Sequence, residues 1–157
     1  MIRNLQLMIK PASSRCNINC GYCFYNETAR NREISDYGGM EEETIKEIIR
    51  KASEFCGSGT CGIGFQGGEP MLRGIEFYKK IMGYIKEEKM ETNFVFTIQT
   101  NGILINEEWA EFFRENNFLT GISLDGTERI HNSNRKNHSG QGTFNEVINS
   151  VKLLKQY

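Results

Sequence analysis

Phe94-Val95-Phe96-Thr97-Ile98-Gln99 is the clearest strand in the chain, and Thr100-Asn101-Gly102 closes it. β-branched and aromatic residues dominate the run, as they do on pleated, half-buried surfaces. Asn106 then caps a helix, with Glu107 and Glu108 in its first turn and Trp109, Phe112 and Phe113 on its apolar face. The same strand-then-helix unit recurs on both sides. Leu5, Leu7 and Ile9 alternate with Gln6, Met8 and Lys10 up to Pro11. Ile45, Ile48, Ile49, Ala52 and Phe55 follow at helical spacing, with Gly57 as the stop. Cys61 to Gln66 reads as a short strand weakened by Gly62 and Gly64; Ile75, Tyr78, Ile81, Met82 and Ile85 mark the next helix. Phe118 to Leu124 reads as the fourth strand. The fourth helix carries Phe144, Val147, Ile148, Val151 and Leu154 behind a Thr143–Glu146 capping box. Asn26 to Gly39 and Thr127 to Gly142 read as polar loops. Four βα units in a row predict an α/β fold with a parallel sheet and helices packed outside it.

Composition narrows the class. The chain has 157 residues, 38% hydrophobic and 25% charged, with a formal net charge of −1. That suits one globular domain. The whole-chain field draws no nucleic acid, and no apolar run approaches the roughly 20 residues of a membrane span. The first ten residues do not resemble an export signal, which points to the cytoplasm. Five cysteines in that setting read as reduced thiols or metal ligands rather than disulfides.

In parallel α/β folds, chemistry gathers at the C-terminal ends of the strands. Four motifs fall there, with Gln99 to Gly102 ending the third strand and Ser123 to Gly126 the fourth. The first strand leads into Cys16-Asn17-Ile18-Asn19-Cys20-Gly21-Tyr22-Cys23, three thiols in a C-x3-C-x2-C pattern. Four-iron clusters usually take four thiolates, so three leave one iron with an open position. The alternative for these residues is a zinc site, although paired C-x2-C units or a nearby His are lacking. Gly67-Gly68-Glu69-Pro70 follows the second strand: its glycines let a backbone approach a ligand, and its carbonyls or Glu69 can hold an ammonium group. Ser123 and Asp125 end the fourth strand and suit ribose hydroxyls or turn chemistry. Arg135 offers a two-pronged partner for a carboxylate. Gln66, Gln99 and Tyr25 are candidate substrate contacts, and Tyr22 either shields the thiols or stacks on a ligand. His131 and His138 are expected on the surface without a role, and Cys56 and Cys61 as structural thiols.

Together these residues resemble a family. Lys10-Pro-Ala-Ser-Ser-Arg-Cys16, Cys20-Gly-Tyr-Cys-Phe-Tyr25, Phe65-Gln-Gly-Gly-Glu-Pro70, Gln99-Thr-Asn-Gly102, Ser123-Leu-Asp-Gly126 and Ile130-His-Asn-Ser-Asn-Arg135 resemble the anaerobic sulfatase-maturating branch of the radical S-adenosylmethionine (radical SAM) enzymes. The resemblance implies a partial (β/α)6 TIM-like barrel, of which residues 1–157 supply the first four βα units. The rest of the barrel and a C-terminal SPASM domain with auxiliary clusters have no counterpart here, nor does the aspartate that serves as general base. It further implies that Cys16, Cys20 and Cys23 hold a [4Fe-4S] cluster whose open iron is chelated by S-adenosylmethionine. Tyr22 would lie beside the adenine, Gly68 at the methionyl amine with Gly67 and Glu69 of the same motif also in the cofactor site, Ser123 and Asp125 near the ribose, and Arg135 at the carboxylate. Reduction would cleave the cofactor to a 5′-deoxyadenosyl radical. That radical would oxidise a Cys or Ser of a sulfatase to formylglycine, with a flavodoxin or ferredoxin as electron donor. A maturase for another peptide, such as a ribosomal natural product, and a non-enzymatic zinc module are the competing expectations. The isolated chain is expected to bind cluster and cofactor weakly and not to complete formylglycine synthesis.

Overall fold

The computed structural model describes residues 2–157. In chain order the elements are β1 (Leu5–Ile9), β2 (Ile18–Cys20), α1 (Phe24–Arg30), α2 (Glu42–Cys56), β3 (Thr60–Phe65), a 3-10 turn (Pro70–Arg73), α3 (Ile75–Glu87), β4 (Asn93–Thr100), α4 (Glu107–Glu115), β5 (Leu119–Ile122), α5 (Glu128–Asn134), β6 (Arg135–Asn137) and α6 (Phe144–Leu154). Strands β1, β3, β4 and β5 form one parallel sheet in that order. All four therefore end on the same rim. The α/β class and the four expected βα units are present.

Period-2 and period-3.6 patterns explain the packing. One face of the sheet carries Ile9, Ile63, Phe65, Phe96 and Ile98, all buried. Against it lie Ile45, Ile49 and Ala52 of α2, Phe77, Tyr78 and Ile81 of α3, and Trp109, Phe112 and Phe113 of α4. Phe65 sits at the centre, with Tyr78 edge-on at 5.0 Å and Phe96 and Phe118 stacked at 6.3 Å. Asn106 caps α4 as expected, its Oδ1 accepting from Trp109 N at 3.0 Å. Gly57, at φ 59°, ends α2. Phe55 departs from its expected place on the α2 stripe and is exposed beside Arg3.

Three local expectations are corrected. Residues expected as loop from Asn26 form the C-terminal part of α1, in which Glu27 N–H donates to Cys23 O and Thr28 Oγ1 to Phe24 O. The segment expected as one loop, 127–142, holds α5 and β6, and β6 pairs antiparallel with β2. The Thr143–Glu146 capping box does not form: Thr143 Oγ1 meets His131 Nε2 at 3.1 Å and donates to Arg135 O at 3.2 Å instead. Asn132 Oδ1 accepts from Phe144 N in its place, at 3.0 Å.

The aromatic layer around Phe65 makes a measurable prediction. Phe65→Ala should lower unfolding free energy by about 3–5 kcal/mol, because the hole cannot collapse among rigid rings. Urea melts of the two proteins check this, and a loss below about 1 kcal/mol would place the core elsewhere.

Candidate active site

The thiol loop is held from both sides by the protein's own hydrogen bonds. After β1, Ser13 N–H donates to Lys10 O and Arg15 N–H to Ala12 O, turning the chain back over the rim. Glu69 N–H donates to Arg15 O at 2.7 Å. Gly68, at φ +59°, lies so close that a Cβ would come within 2.3 Å of the same carbonyl. Only glycine fits there. On the other side β2 pairs with β6, setting Cys20 opposite Arg135, and Gly21 N–H donates to Asn134 O at 2.9 Å.

Cys16, Cys20 and Cys23 are half-buried free thiols that line one cavity of about 210 Å³. Tyr22, Tyr25, Gln66 and Gln99 share its wall, as do Gly67, Gly68, Glu69, Ser123 and Arg135. Twelve of the thirteen residues singled out from sequence thus meet at one place; Asp125 does not line it. Asp125 stands behind the wall, where its Oδ2 accepts from Tyr22 OH at 2.6 Å and its Oδ1 from Arg135 Nε at 2.9 Å. Arg135 Nη1 reaches Cys20 Sγ at 3.9 Å, and its guanidinium lies 5.4 Å from the centre of the Tyr22 ring. Ser123 Oγ accepts from Gln99 Nε2 at 3.0 Å. Gln66 Nε2 donates to Tyr25 OH at 3.3 Å, while Lys10 Nζ sits 4.4 Å from the Tyr25 ring centre.

Glu69 is 1% exposed. Its Oε1 accepts from Met71 N and Thr100 Oγ1, and its Oε2 from Asn101 N at 2.8 Å. Burial pushes its carboxyl pKa up, against the pull of those donors. Burial likewise raises the Cys20 thiol to about 11, partly offset by Arg135, and raises Cys16. Tyr22 is pushed up to about 12 by burial and by its bond to Asp125. At Asp125 burial pushes upward, but the Tyr22 and Arg135 hydrogen bonds prevail and hold its carboxyl below the usual range. Cys56 and Cys61 are buried near the opposite end of β3 and contribute nothing to the cavity.

Three residues make contacts that their sequence setting does not show. His131 is fully buried, not on the surface: its Nδ1 accepts from Asp125 N at 3.4 Å and its Nε2 faces Thr143. His138 is exposed, but its Nε2 lies 3.0 Å from Cys16 O. Asn101 closes β4 and directs its side-chain amide at Asn17 and Cys16. Its position at a strand end was the available signal. Among the described residues, no three or more His, Cys, Asp or Glu side chains form a group that could hold a single metal ion.

The family model for the radical SAM superfamily matches residues 11–157. The chain belongs to that superfamily. A cysteine-type anaerobic sulfatase-maturating enzyme of Clostridium novyi (strain NT) is 44% identical over 157 residues, covering 99% of this chain and 42% of that protein. A serine-type anaerobic sulfatase-maturating enzyme of Bacteroides thetaiotaomicron is 37% identical over 156 residues, covering 98% of this chain and 37% of that protein. The solved structure described as native anSMEcpe with bound AdoMet and Cp18Cys peptide superposes with a TM-score of 0.88 at 40% identity, covering 99% of this chain and 41% of that one. This radical SAM chain therefore spans about two fifths of the length of the curated relatives it matches.

Gly68 supplies the prediction for this radical SAM rim. Gly68→Ala should destabilise the fold by about 1–3 kcal/mol, the cost of forcing a side chain into a left-handed backbone against a carbonyl. Hydrogen exchange should accelerate most at amides 15–23; uniform acceleration across the sheet would contradict the close approach.

Proposed function

We propose that this chain is the N-terminal portion of the core domain of an anaerobic sulfatase-maturating enzyme. The parent would carry the remaining barrel and a SPASM domain. The observation that supports the reading is the single cavity shared by Cys16, Cys20, Cys23, Gly68, Ser123 and Arg135. Three half-buried thiols with no fourth cysteine beside them fit a [4Fe-4S] cluster that keeps one iron open. The names of the relatives point the same way: sulfatase maturation for two of them, bound AdoMet for a third.

In this reading Cys16, Cys20 and Cys23 hold the cluster as thiolates, and S-adenosylmethionine fills the cavity beside it. When bound, that pair supplies the one-electron cleavage that begins hydrogen abstraction from the substrate. The chain's own part is to position and enclose. Gly67 and Gly68 bring backbone close to the methionyl amine, with Glu69 bracing them from beneath. Ser123, oriented by Gln99, meets the ribose. Arg135 is aligned by Asp125, which leaves a guanidinium edge for the cofactor carboxylate. Tyr22, fixed through its hydroxyl, borders the adenine. Tyr25, Gln66 and Gln99 face a peptide carrying the sulfatase Cys or Ser. A flavodoxin or ferredoxin would deliver the electron in the cytoplasm. No helix among the described residues is long and apolar enough to cross a membrane.

The test has two stages. Anaerobic reconstitution of the chain should yield about four irons and four sulfides, as a [4Fe-4S] cluster requires, and a reduced-state paramagnetic signal that changes on adding S-adenosylmethionine. In the full-length parent, a Cys/Ser-x-Pro-x-Arg peptide should gain an aldehyde. Cys20→Ala there should cut cofactor cleavage by more than about 100-fold. Undiminished cleavage by Cys20→Ala would refute the ligand assignment, and peptide without aldehyde would refute the substrate.

A further inference from the structure

We propose that Asn101 tunes the reduction potential of the cluster by donating a hydrogen bond from its side-chain amide to the sulfur of Cys16. The inference rests on the cluster reading above and assigns a positioning and tuning role to a residue outside the ligand set.

The geometry around Asn101 is over-determined. The residue is buried at the turn after β4. Its Oδ1 accepts from Ile103 N at 3.0 Å, which fixes the rotation of the amide. The amino end must then face the thiol loop. There Nδ2 donates to Asn17 Oδ1 at 2.7 Å and to Cys16 Sγ at 3.8 Å. An amide NH2 has two hydrogens, one for each acceptor. The backbone N–H is anchored separately, on Glu69 Oε2 at 2.8 Å. The side chain is thus held by β4, by the turn and by the Gly67–Pro70 loop, and its remaining hydrogen falls to the sulfur.

The three thiols differ in this respect. Cys20 receives Arg135 Nη1 at 3.9 Å, but the charge of that arginine is matched by Asp125 at 2.9 Å. No side chain among the described residues donates to Cys23 Sγ. Asn101 is therefore the neutral side-chain donor to the three thiols; the Ile18 backbone N–H also serves Cys16, and the Glu69 carboxylate is bonded to the Asn101 backbone N–H rather than to its amide. Reduction adds one negative charge that spreads onto the cysteine sulfurs. A fixed N–H dipole in a half-buried site stabilises that state more than the oxidised one, so hydrogen bonds to sulfur raise the potential. No bond is made or broken in this step: one electron enters from a low-potential mediator dye and stays on the cluster.

Reductive titration of the anaerobically reconstituted chain, followed by electron paramagnetic resonance, reads the midpoint directly and needs no turnover. Asn101→Asp keeps the acceptor for Ile103 N–H, removes both amide hydrogens and adds a negative charge. It should lower the reduced-to-oxidised ratio at fixed potential by at least tenfold, about 59 mV for one electron. Asn101→Ser, neutral and still able to cap the turn, should shift in the same direction by less, and serves if the aspartate disrupts folding. Asn17→Ala removes the other acceptor and leaves the sulfur contact, so its midpoint should match the wild type. The proposal is overturned if both Asn101 variants titrate at the wild-type potential, or if Asn17→Ala falls as far as they do. A wild-type chain that takes up no iron and sulfide would instead overturn the cluster reading itself, and this inference with it.

Discussion

A buried carboxylate joins the parts of the rim. Glu69 is removed from water, and an ionised carboxylate so placed costs several kcal/mol unless donors surround it. Here they do: a backbone N–H from the 3-10 turn, and a hydroxyl and a backbone N–H from the end of β4. Its own N–H holds Arg15 O, at the mouth of the thiol loop. One residue thus ties together the segments after β1, β3 and β4. That role limits what Glu69 can do for a ligand. With three donors already on its two oxygens, it braces the glycines more readily than it seizes an ammonium group.

The legible parts of the sequence were those where burial imposes a period. Phe94 to Gln99 reads as a strand because Phe96 and Ile98 must face the helices. The α4 stripe reads as a helix because Trp109, Phe112 and Phe113 must face the sheet. Elements made by polar pairing carry no such period. Strands β2 and β6 have three residues each, and only Ile18 of β2 is buried. Helix α1 has seven residues and buries only Ala29. Thr143 and Glu146 have the spacing of a capping box, but a buried imidazole competes for the hydroxyl and wins. His131 could not be located from sequence, because its partners, Asp125 N–H and Thr143, become neighbours only after α5 folds back. The candidate site was legible to the extent that its residues sit at strand ends. Asn101 sits at one too, but an asparagine there is also ordinary turn chemistry.

The face of the sheet away from the helices shows why the glycines of β3 do not break it. Parallel sheets are normally covered on both sides. Here Met8, Val95 and Leu119 are exposed on the strands, and Gln6, Thr97 and Gln99 share a shallow cavity with Gly64 and Gly121. A Cβ on Gly62 would come within 2.0 Å of Gln6 Oε1, and one on Gly121 within 2.3 Å of Gln99 Oε1. The glycines are seats over which neighbouring glutamines lie flat. A polar lining of this kind does not form a close-packed barrel interior, where branched apolar side chains dominate. It leaves room for a polar occupant, and it lets Gln99 reach over Gly121 to Ser123 just past β5.

The thiols themselves do little to order the rim. Burial raises Cys20 to about 11 and also raises Cys16, so without metal both stay protonated near neutrality. Thiolates must form for iron to bind, which couples uptake to proton release. In zinc fingers that coupling extends to folding, because nothing else orders the chain. Here the loop is placed by backbone bonds that involve no sulfur: Glu69 N–H to Arg15 O and Gly21 N–H to Asn134 O. The paired charges of Asp125 and Arg135 hold Tyr22 in the same way. In the cluster reading, metal uptake would meet a loop held by these bonds. Its free energy would then go into deprotonating sulfur.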